Sequence, residues 1–479
     1  MAQRTTKSQV SGYRFLLRRL EHALVRRDVR MIHDPMSGHV KALVVGLVLT
    51  LVVLGGAVAL SFFKPQGSVG DSKVLISKQS GQLYVLLGDQ LHPALNLASA
   101  RLAAGVDENP NSVSDKILSK YTRGPQLGIA GAPSSLAAKG APGRSIWTVC
   151  DRLDEPRNPD GQPTVGVVAG PPTALSTTRG IGPDDAMLVR NGEDAYLIYR
   201  NTRAAIDPAD SAVRQTFGLQ DASARSVSNA VLDAIPPSRP IVAPTIADAG
   251  RPSSFTLNGA RIGSIVTATS LDNSGGTTSK LYVVLKDGVQ QISPLVGDLI
   301  RAKQAISDRP IEVPLNALTT VPTVDELAVS GYPATAPRLV DGTADKALCL
   351  GWTKNGDDAA SIGLSLGPDF PVANPTSMVP TVGATGDGLS ADVAYIPPGS
   401  GYFVRTTGVD ANSTRSASDF LVTDTGVRYG VPASSASPLG MPDPLAAPYA
   451  IVALLPPGPT LAQNAALTAR DDLAPTGGS

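Results

Sequence analysis

Leu281-Tyr282-Val283-Val284-Leu285, a turn at Asp287-Gly288, then Ile292-Ser293-Pro294 opening LVGDLIRA is the most informative stretch of this 479-residue chain. An aromatic and β-branched run favours a strand, and Asp-Gly turns the chain back on itself as a hairpin. A short return strand then meets Ser293, a residue type that caps helix N-termini, followed by Pro294, whose missing N–H costs nothing in a first helical turn. The unit read here is a leading strand, a hairpin and a short helix, about 35–40 residues, too small to bury much surface alone.

The same pattern occurs three more times. Tyr84 leads a hairpin that turns at Gly88-Asp89 and reaches Asn96 as a cap. Tyr196 leads one that reaches Asp207-Pro208, and Phe420 leads one that turns at Thr425-Gly426 and reaches Val431-Pro432. In the fourth copy Val431 stands where a cap belongs, so this unit is degenerate. The anchors Tyr84, Asn96, Tyr196, Asp207, Tyr282, Ser293 and Phe420 are unevenly spaced, which excludes a simple tandem solenoid.

Each of the two long gaps between units holds one Cys beside one Trp, in Trp147-Thr148-Val149-Cys150 and Cys349-Leu350-Gly351-Trp352, and the chain has no other Cys or Trp. The pattern suggests two halves that each give strands to a central core. An internal Cys150–Cys349 disulfide would tie them; two buried free thiols or intermolecular bridges are the alternatives. Pro/Gly-rich stretches near 131–144, 156–172, 235–252 and 366–398 look like connections.

Residues 42–63 are apolar or small throughout and long enough, at about 1.5 Å per residue, to cross a hydrocarbon core as one helix. The 41 residues before them carry nine Lys/Arg and three acids, a net of +6, and the remainder carries −6, so the chain as a whole is neutral. The positive-inside rule then places the N-terminus in the cytoplasm and about 415 residues outside. Within the arm, Tyr13, Leu16, Leu17, Leu20 and Leu24 recur at helical spacing among Arg14, Arg18 and Arg19. Ser11 or Gly12 would cap this helix and Pro35 would end it. Such a basic amphipathic helix suits an anionic leaflet or a partner protein.

Little of the chemistry sought is present. No GxxxxGK[ST] run exists, and the glycine-rich 140–145 lacks the lysine of a phosphate cradle. The string Gly363-Leu364-Ser365-Leu366-Gly367 imitates a nucleophile elbow, but no histidine follows Ser365. His92, the only histidine beyond the membrane segment, reads as a packing residue. Asp151, Asp154, Glu155 and Asp160, like Asp357-Asp358, lack the ordered spacing of a calcium loop and read as solvated turns. Two cysteines exclude zinc ribbons and iron–sulfur sites. An outer region of net −6 argues against nucleic acid as a partner. No catalytic residue, cofactor or metal is assigned.

Several runs, in order along nearly the whole chain, resemble the EccB family of mycobacterial type VII (ESX) secretion systems. They are VSGYRFLLRRLEHAL (10–24), RRDVRM (26–31), FFKPQG (62–67), LYVLLGDQLHPALNLASARL (83–102), LGIAGAP (127–133), WTVCD (147–151), GVRYGV (426–431) and LLPPGPTL (454–461). The resemblance implies an α+β architecture: one transmembrane helix, then an elongated periplasmic domain of four hairpin-plus-helix modules around a β-rich core closed by one disulfide, Cys150–Cys349. It implies an inner-membrane structural subunit that assembles with itself and with EccC, EccD and EccE, EccC supplying the motor ATPase, with the Tyr13–Leu24 arm docking on cytoplasmic neighbours. Family members are sometimes labelled ATPases; hydrolysis is one alternative function and a periplasmic cell-wall binding module is another.

The expected organisation is a cytoplasmic arm (1–41), the membrane helix (42–63), modules at 70–106, 183–222, 261–305 and 399–441, core segments 107–182 and 306–398, a connection at 223–260, and a C-terminal segment with tail (442–479).

Overall fold

The computed structural model describes residues 6–27, 35–62, 68–136, 143–155, 161–171, 178–271, 277–304 and 309–470. The expectations for Asp160 and for residues 140–142 lie outside them, as does the tail from residue 471 on. The chain divides into two units, 1–70 and 71–479.

In the first unit a helix spans Lys7–Arg26, where the sequence suggested a start at Ser11 or Gly12. The Gln9 side chain accepts from the Thr6 N–H at 3.0 Å, a capping contact that brings the start forward. The helix closes at Arg27, whose φ of 56° is left-handed, well before Pro35. Pro35 instead opens the next helix, Pro35–Phe62, at the position where proline is tolerated. Gly38–Val58 is its window of mean hydropathy 2.3, long and apolar enough to cross a membrane, four residues nearer the N-terminus than the expected 42–63. Thr50 donates its hydroxyl to the Gly46 carbonyl (2.8 Å), so its polar group is satisfied within the helix.

In the second unit four modules share one topology, longer than the sequence suggested. Module 1 is an antiparallel meander of Val74–Ser77, Leu83–Leu87 and Gln90–Pro93, the helix Leu97–Ala104, and a fourth strand Asn111–Val113 parallel to the first. Module 2 repeats this with Asp185–Asn191, Asp194–Tyr199, Thr202–Ala205, the helix Ser211–Phe217 and the strand Arg225–Ser226. Module 3 uses Ile265–Leu271, Thr277–Val284, Val289–Ile292, the helix Pro294–Gln304 and Ile311–Glu312. Module 4 uses Gly401–Thr407, Asp419–Thr423, Arg428–Gly430, the helix Ala433–Leu439 and Leu445–Pro448. The helices of modules 1, 2 and 4 end at Gly105, Gly218 and Gly440, each left-handed with φ of 65–70°, which glycine adopts without strain. The fourth strands escaped the sequence reading because two to four residues carry no detectable periodicity.

After its fourth strand every module adds a second short helix and an extended return. SDKILSKYTRGPQL (114–127), SNAVLDAIPPSRPI (228–241), PLNALTTVPTVDEL (314–327) and PYAIVALLPPGPTL (448–461) align without gaps. Their first residues, Ser114, Ser228, Pro314 and Pro448, are the helix N-caps. Their tenth residues, Arg123, Pro237, Thr323 and Pro457, each pair in parallel with the third strand of their own module, at Leu91, Arg203, Val289 and Arg428.

A seven-stranded sheet joins the modules, in the order Val379–Pro380, Val393–Tyr395, Thr164–Ala169, Arg144–Arg152, Ala347–Asn355, Ser361–Gly367, Arg179–Gly180. Two stretches read as connections, 156–172 and 366–398, therefore contribute strands to this sheet: their Pro and Gly flank short Val-rich runs. Modules 2 and 4 share one apolar core with this sheet; module 1 packs on module 4 and module 3 on module 2.

The aligned segments explain why two modules dock and two do not. At the third and seventh aligned positions modules 2 and 4 have Ala230, Ala234, Ala450 and Leu454, whereas modules 1 and 3 have Lys116, Lys120, Asn316 and Thr320. The apolar set belongs to or packs against the shared core, and the polar set is exposed. A lysine at the Ala234 position would have to desolvate its charge against that core. Ala234→Lys is therefore expected to lower the unfolding free energy by about 3 kcal/mol or more, and Lys120→Ala by less than about 0.5 kcal/mol; denaturant unfolding of the two variants checks this.

Candidate functional site: a stapled sheet carrying four modules

The strands Arg144–Arg152 and Ala347–Asn355 are antiparallel neighbours at the centre of the sheet, in a register that sets Cys150 opposite Cys349 and Trp147 opposite Trp352. The cysteines form a disulfide across this pair, with Cα atoms 4.0 Å apart. Cys and Trp are three positions apart on each strand, an odd offset, so the two pairs project from opposite faces. The disulfide side is filled by Val168, Ala347, Phe370, Val372 and Met378. Trp147 and Trp352 enter the core shared with modules 2 and 4. Their indole N–H groups donate to Ser145 Oγ (3.0 Å) and the Val409 carbonyl (3.2 Å), and Tyr402 meets Trp147 edge-on with ring centres 5.8 Å apart.

Asp151, read as part of a solvated turn, is fully buried. The strand runs on through Arg152, and alternation turns the Asp151 side chain to the tryptophan face. Its carboxylate accepts from the Ser228 N–H and hydroxyl, both at 2.6 Å, while Ser228 Oγ caps the second helix of module 2 by accepting from the Val231 N–H at 3.1 Å. Burial pushes the Asp151 carboxyl up to about 6 against the two Ser228 hydrogen bonds and the charge of Arg225, which pull it down. Arg225 is also fully buried, and its guanidinium donates to the carbonyls of Gly342 (2.7 Å), Lys346 (2.6 Å) and Asp151 (3.4 Å). Desolvation lowers the Arg225 pKa to about 10, which leaves the group charged at neutral pH. In sequence this cluster shows itself only as an acid next to a cysteine.

The anchor residues take equivalent places in the modules. Tyr84, Tyr196, Tyr282 and Phe420 sit opposite Leu75, Val189, Val266 and Val404 of their first strands. Arg123, Arg203 and Arg428 lie over the rings of Tyr84, Tyr196 and Phe420. Asn96 caps its helix by accepting from the Ser99 N–H (2.9 Å), and Ser293 Oγ accepts from the Val296 N–H (3.3 Å). In module 2 the cap is Asp210, not Asp207; Asp207 makes a local turn by accepting from the Ala209 N–H at 2.8 Å. Asp210 Oδ1 accepts from the Ala212 N–H (2.8 Å) and the Val213 N–H (3.4 Å), so the helix begins after Asp210 rather than at Pro208. In module 4 the N-cap is Pro432, without a side-chain contact.

On the arm, Tyr13, Leu16, Leu17, Leu20 and Leu24 are 46–74% exposed, a continuous apolar stripe beside the exposed Arg14, Arg18 and Arg19. His92 is buried, its Nδ1 3.0 Å from the Pro125 carbonyl, and Ser365 lies within a central strand opposite Cys349. A groove of about 770 Å³ between modules 1 and 4 is lined by Asp107, Leu136, Phe403, Arg405, Met441 and Asp443 among others. Among the described residues no group of His, Cys, Asp and Glu is arranged to hold a metal.

The family model for the type VII secretion system ESX-1 transport TM domain B matches residues 2–475. The chain is 36% identical to the ESX-3 secretion system ATPase EccB3 of Mycobacterium tuberculosis (strain H37Rv), over 98% of this chain and 90% of that protein. It is 34% identical to the ESX-5 secretion system ATPase EccB5 of Mycobacterium marinum, over 98% and 94%. Among solved structures it is similar to a chain of an intact ESX-5 inner membrane complex, with a TM-score of 0.73 and 33% identity, covering 100% of this chain and 98% of that one. An EccB3 dimer from the ESX-3 core complex gives a TM-score of 0.70 at 32% identity, covering 83% and 100%.

The raised Asp151 pKa has a definite consequence for stability. The folded state holds this proton more tightly than the unfolded chain, whose value is near 3.8. The contribution is thus complete below about pH 4 and lost as pH rises through about 6, by of order 3 kcal/mol. Unfolding free energies measured from pH 4 to 7 are expected to show this decline in the wild type relative to Asp151→Asn, whose profile lacks it.

Proposed function

Because this chain belongs to the EccB family of type VII secretion proteins, we propose that it is a structural subunit of an ESX-type inner-membrane secretion complex, assembling with further copies of itself. The observation that carries this reading is similarity over the whole chain, membrane helix included, to a subunit of an intact ESX-5 complex. Among the described residues of the outer unit, the buried Asp151, Ser228 and Arg225 are engaged in holding module 2 to the sheet.

The N-terminus lies in the cytoplasm and the module-bearing unit in the periplasm. Two independent features support this orientation. The short flank carries a net +6, and the disulfide belongs to an oxidising compartment. The exposed stripe Tyr13–Leu24 then faces cytoplasmic neighbours, for which the EccC, EccD and EccE subunits of such complexes are the candidates, EccC providing the motor.

The relatives are named as ATPases, which favours a second reading, ATP hydrolysis by this chain itself. Against it stand the absence of a P-loop from the sequence and the periplasmic placement of nearly all of its folded mass.

Three measurements test these readings. Tagged full-length protein extracted in mild detergent is expected to run as a particle far heavier than a dimer and to contain a motor ATPase; a reproducible lone monomer or dimer overturns the assembly. Alkaline phosphatase fused after residue 470 is expected to be active in cells and, fused before residue 6, inactive. ATP turnover by the isolated outer unit would establish the second reading.

A further inference from the structure

Arg225 makes an unusual set of contacts for a buried arginine in a β-module. At the equivalent place the other modules have Asn111, Ile311 and Leu445, each paired with the same position of its first strand. The module therefore does not need an arginine there. The guanidinium faces away from its own module toward the ends of the two strands that carry the cysteines. It donates to the carbonyl of Asp151, next to Cys150, and to those of Gly342, Asp345 and Lys346, in the turn that leads into the Cys349 strand. The Lys346 carbonyl also accepts from the Leu153 N–H at 2.9 Å, so the same place is where the two strands are laced together.

We propose that Arg225 is a positioning residue that sets the register of the Cys150 strand on the Cys349 strand, and so makes oxidation of this cysteine pair conditional on the docking of module 2. A planar fork bonded to several main-chain carbonyls distinguishes one register from its neighbours, because a shift moves every acceptor. The discrimination matters here: a slip of one residue would turn the two thiols to opposite faces of the sheet. Chain order fits the role. Arg225 lies between Cys150 and Cys349, so module 2 can be in place on the first strand before the second arrives. Asp151 supports the clamp by holding Ser228, three residues from Arg225, through two hydrogen bonds. On oxidation the two thiols give two electrons and two protons to a disulfide donor of the exported compartment; one S–S bond forms, and the donor leaves as two thiols.

The test uses full-length protein in mild detergent, equilibrated in glutathione redox buffers with thiols trapped by alkylation. The readout is the effective concentration of the pair relative to glutathione. Arg225→Lys keeps the charge but not the fork. Gly342→Ala attacks the clamp from the other side, since an added Cβ collides with the Met187 side chain and comes 3.4 Å from Arg225 Cβ. Both are expected to lower the effective concentration at least tenfold. Val213→Ala is the control: it opens the buried face of the module 2 helix Ser211–Phe217 without touching the clamp, and is expected to change the value less than threefold. Clamp variants within twofold of the wild type overturn the proposal, as does a Val213→Ala loss as large as theirs. If Arg225→Lys does not accumulate, Gly342→Ala decides alone.

Discussion

The pairing of Arg144–Arg152 with Ala347–Asn355 is the contact on which the rest of the outer unit depends. It brings together residues 199 apart in sequence, so it carries a loop-closure cost that no local contact repays. The disulfide reduces that cost by restricting the unfolded chain, by about 5 kcal/mol in the chain-entropy model for a loop of this length. The opposed tryptophans place two large apolar side chains on the other face of the same pair. One strand pair thus serves as covalent staple on one side and as centre of the shared core on the other.

Around this pair the four modules fall into two ranks. Modules 2 and 4 rest on the sheet through the second short helix of each, where Ala230, Val231, Ile451 and Val452 lie in the shared core or against it. Modules 1 and 3 pack on modules 4 and 2 helix to helix, in clusters that hold Leu102 with Leu439 and Phe217 with Leu299, and the C-terminal segment adds Ala466 and a Leu127–Ala469 bridge to module 1. Identical topology is therefore not identical function. The aligned Lys116, Lys120, Asn316 and Thr320 keep the corresponding helix faces of modules 1 and 3 in solvent. For a subunit proposed to work in an assembly, that ranking separates surfaces committed to the fold from surfaces free to meet other chains.

How much of this was legible in the residues depended on whether a signal was local. The membrane helix, the four aromatic-led hairpins and the caps at Asn96 and Ser293 are encoded within a dozen residues of themselves, by hydropathy, turn chemistry and capping. The cap of the arm helix, Thr6, was expected five or six residues later, and the cap at Asp210 three residues earlier, since several polar residues in each place compete to cap. The fourth strands and the short edge strands of the central sheet were invisible: two or three residues acquire strand geometry only when a neighbour offers its main chain.

The sequence by itself determined that this chain has one segment suited to a membrane, an arm with an apolar stripe and basic flanks, a repeated unit, and one pair of cysteines. Each of these rests on side-chain type at short spacing. Only the tertiary structure decided which strands lie side by side, that Asp151 is buried rather than solvated, and that Arg225, in a segment with no notable pattern, reaches both strands of the stapled pair. Burial and partnership between residues 74 to 199 apart belong to no local stretch; they exist only once the chain has closed around its central sheet.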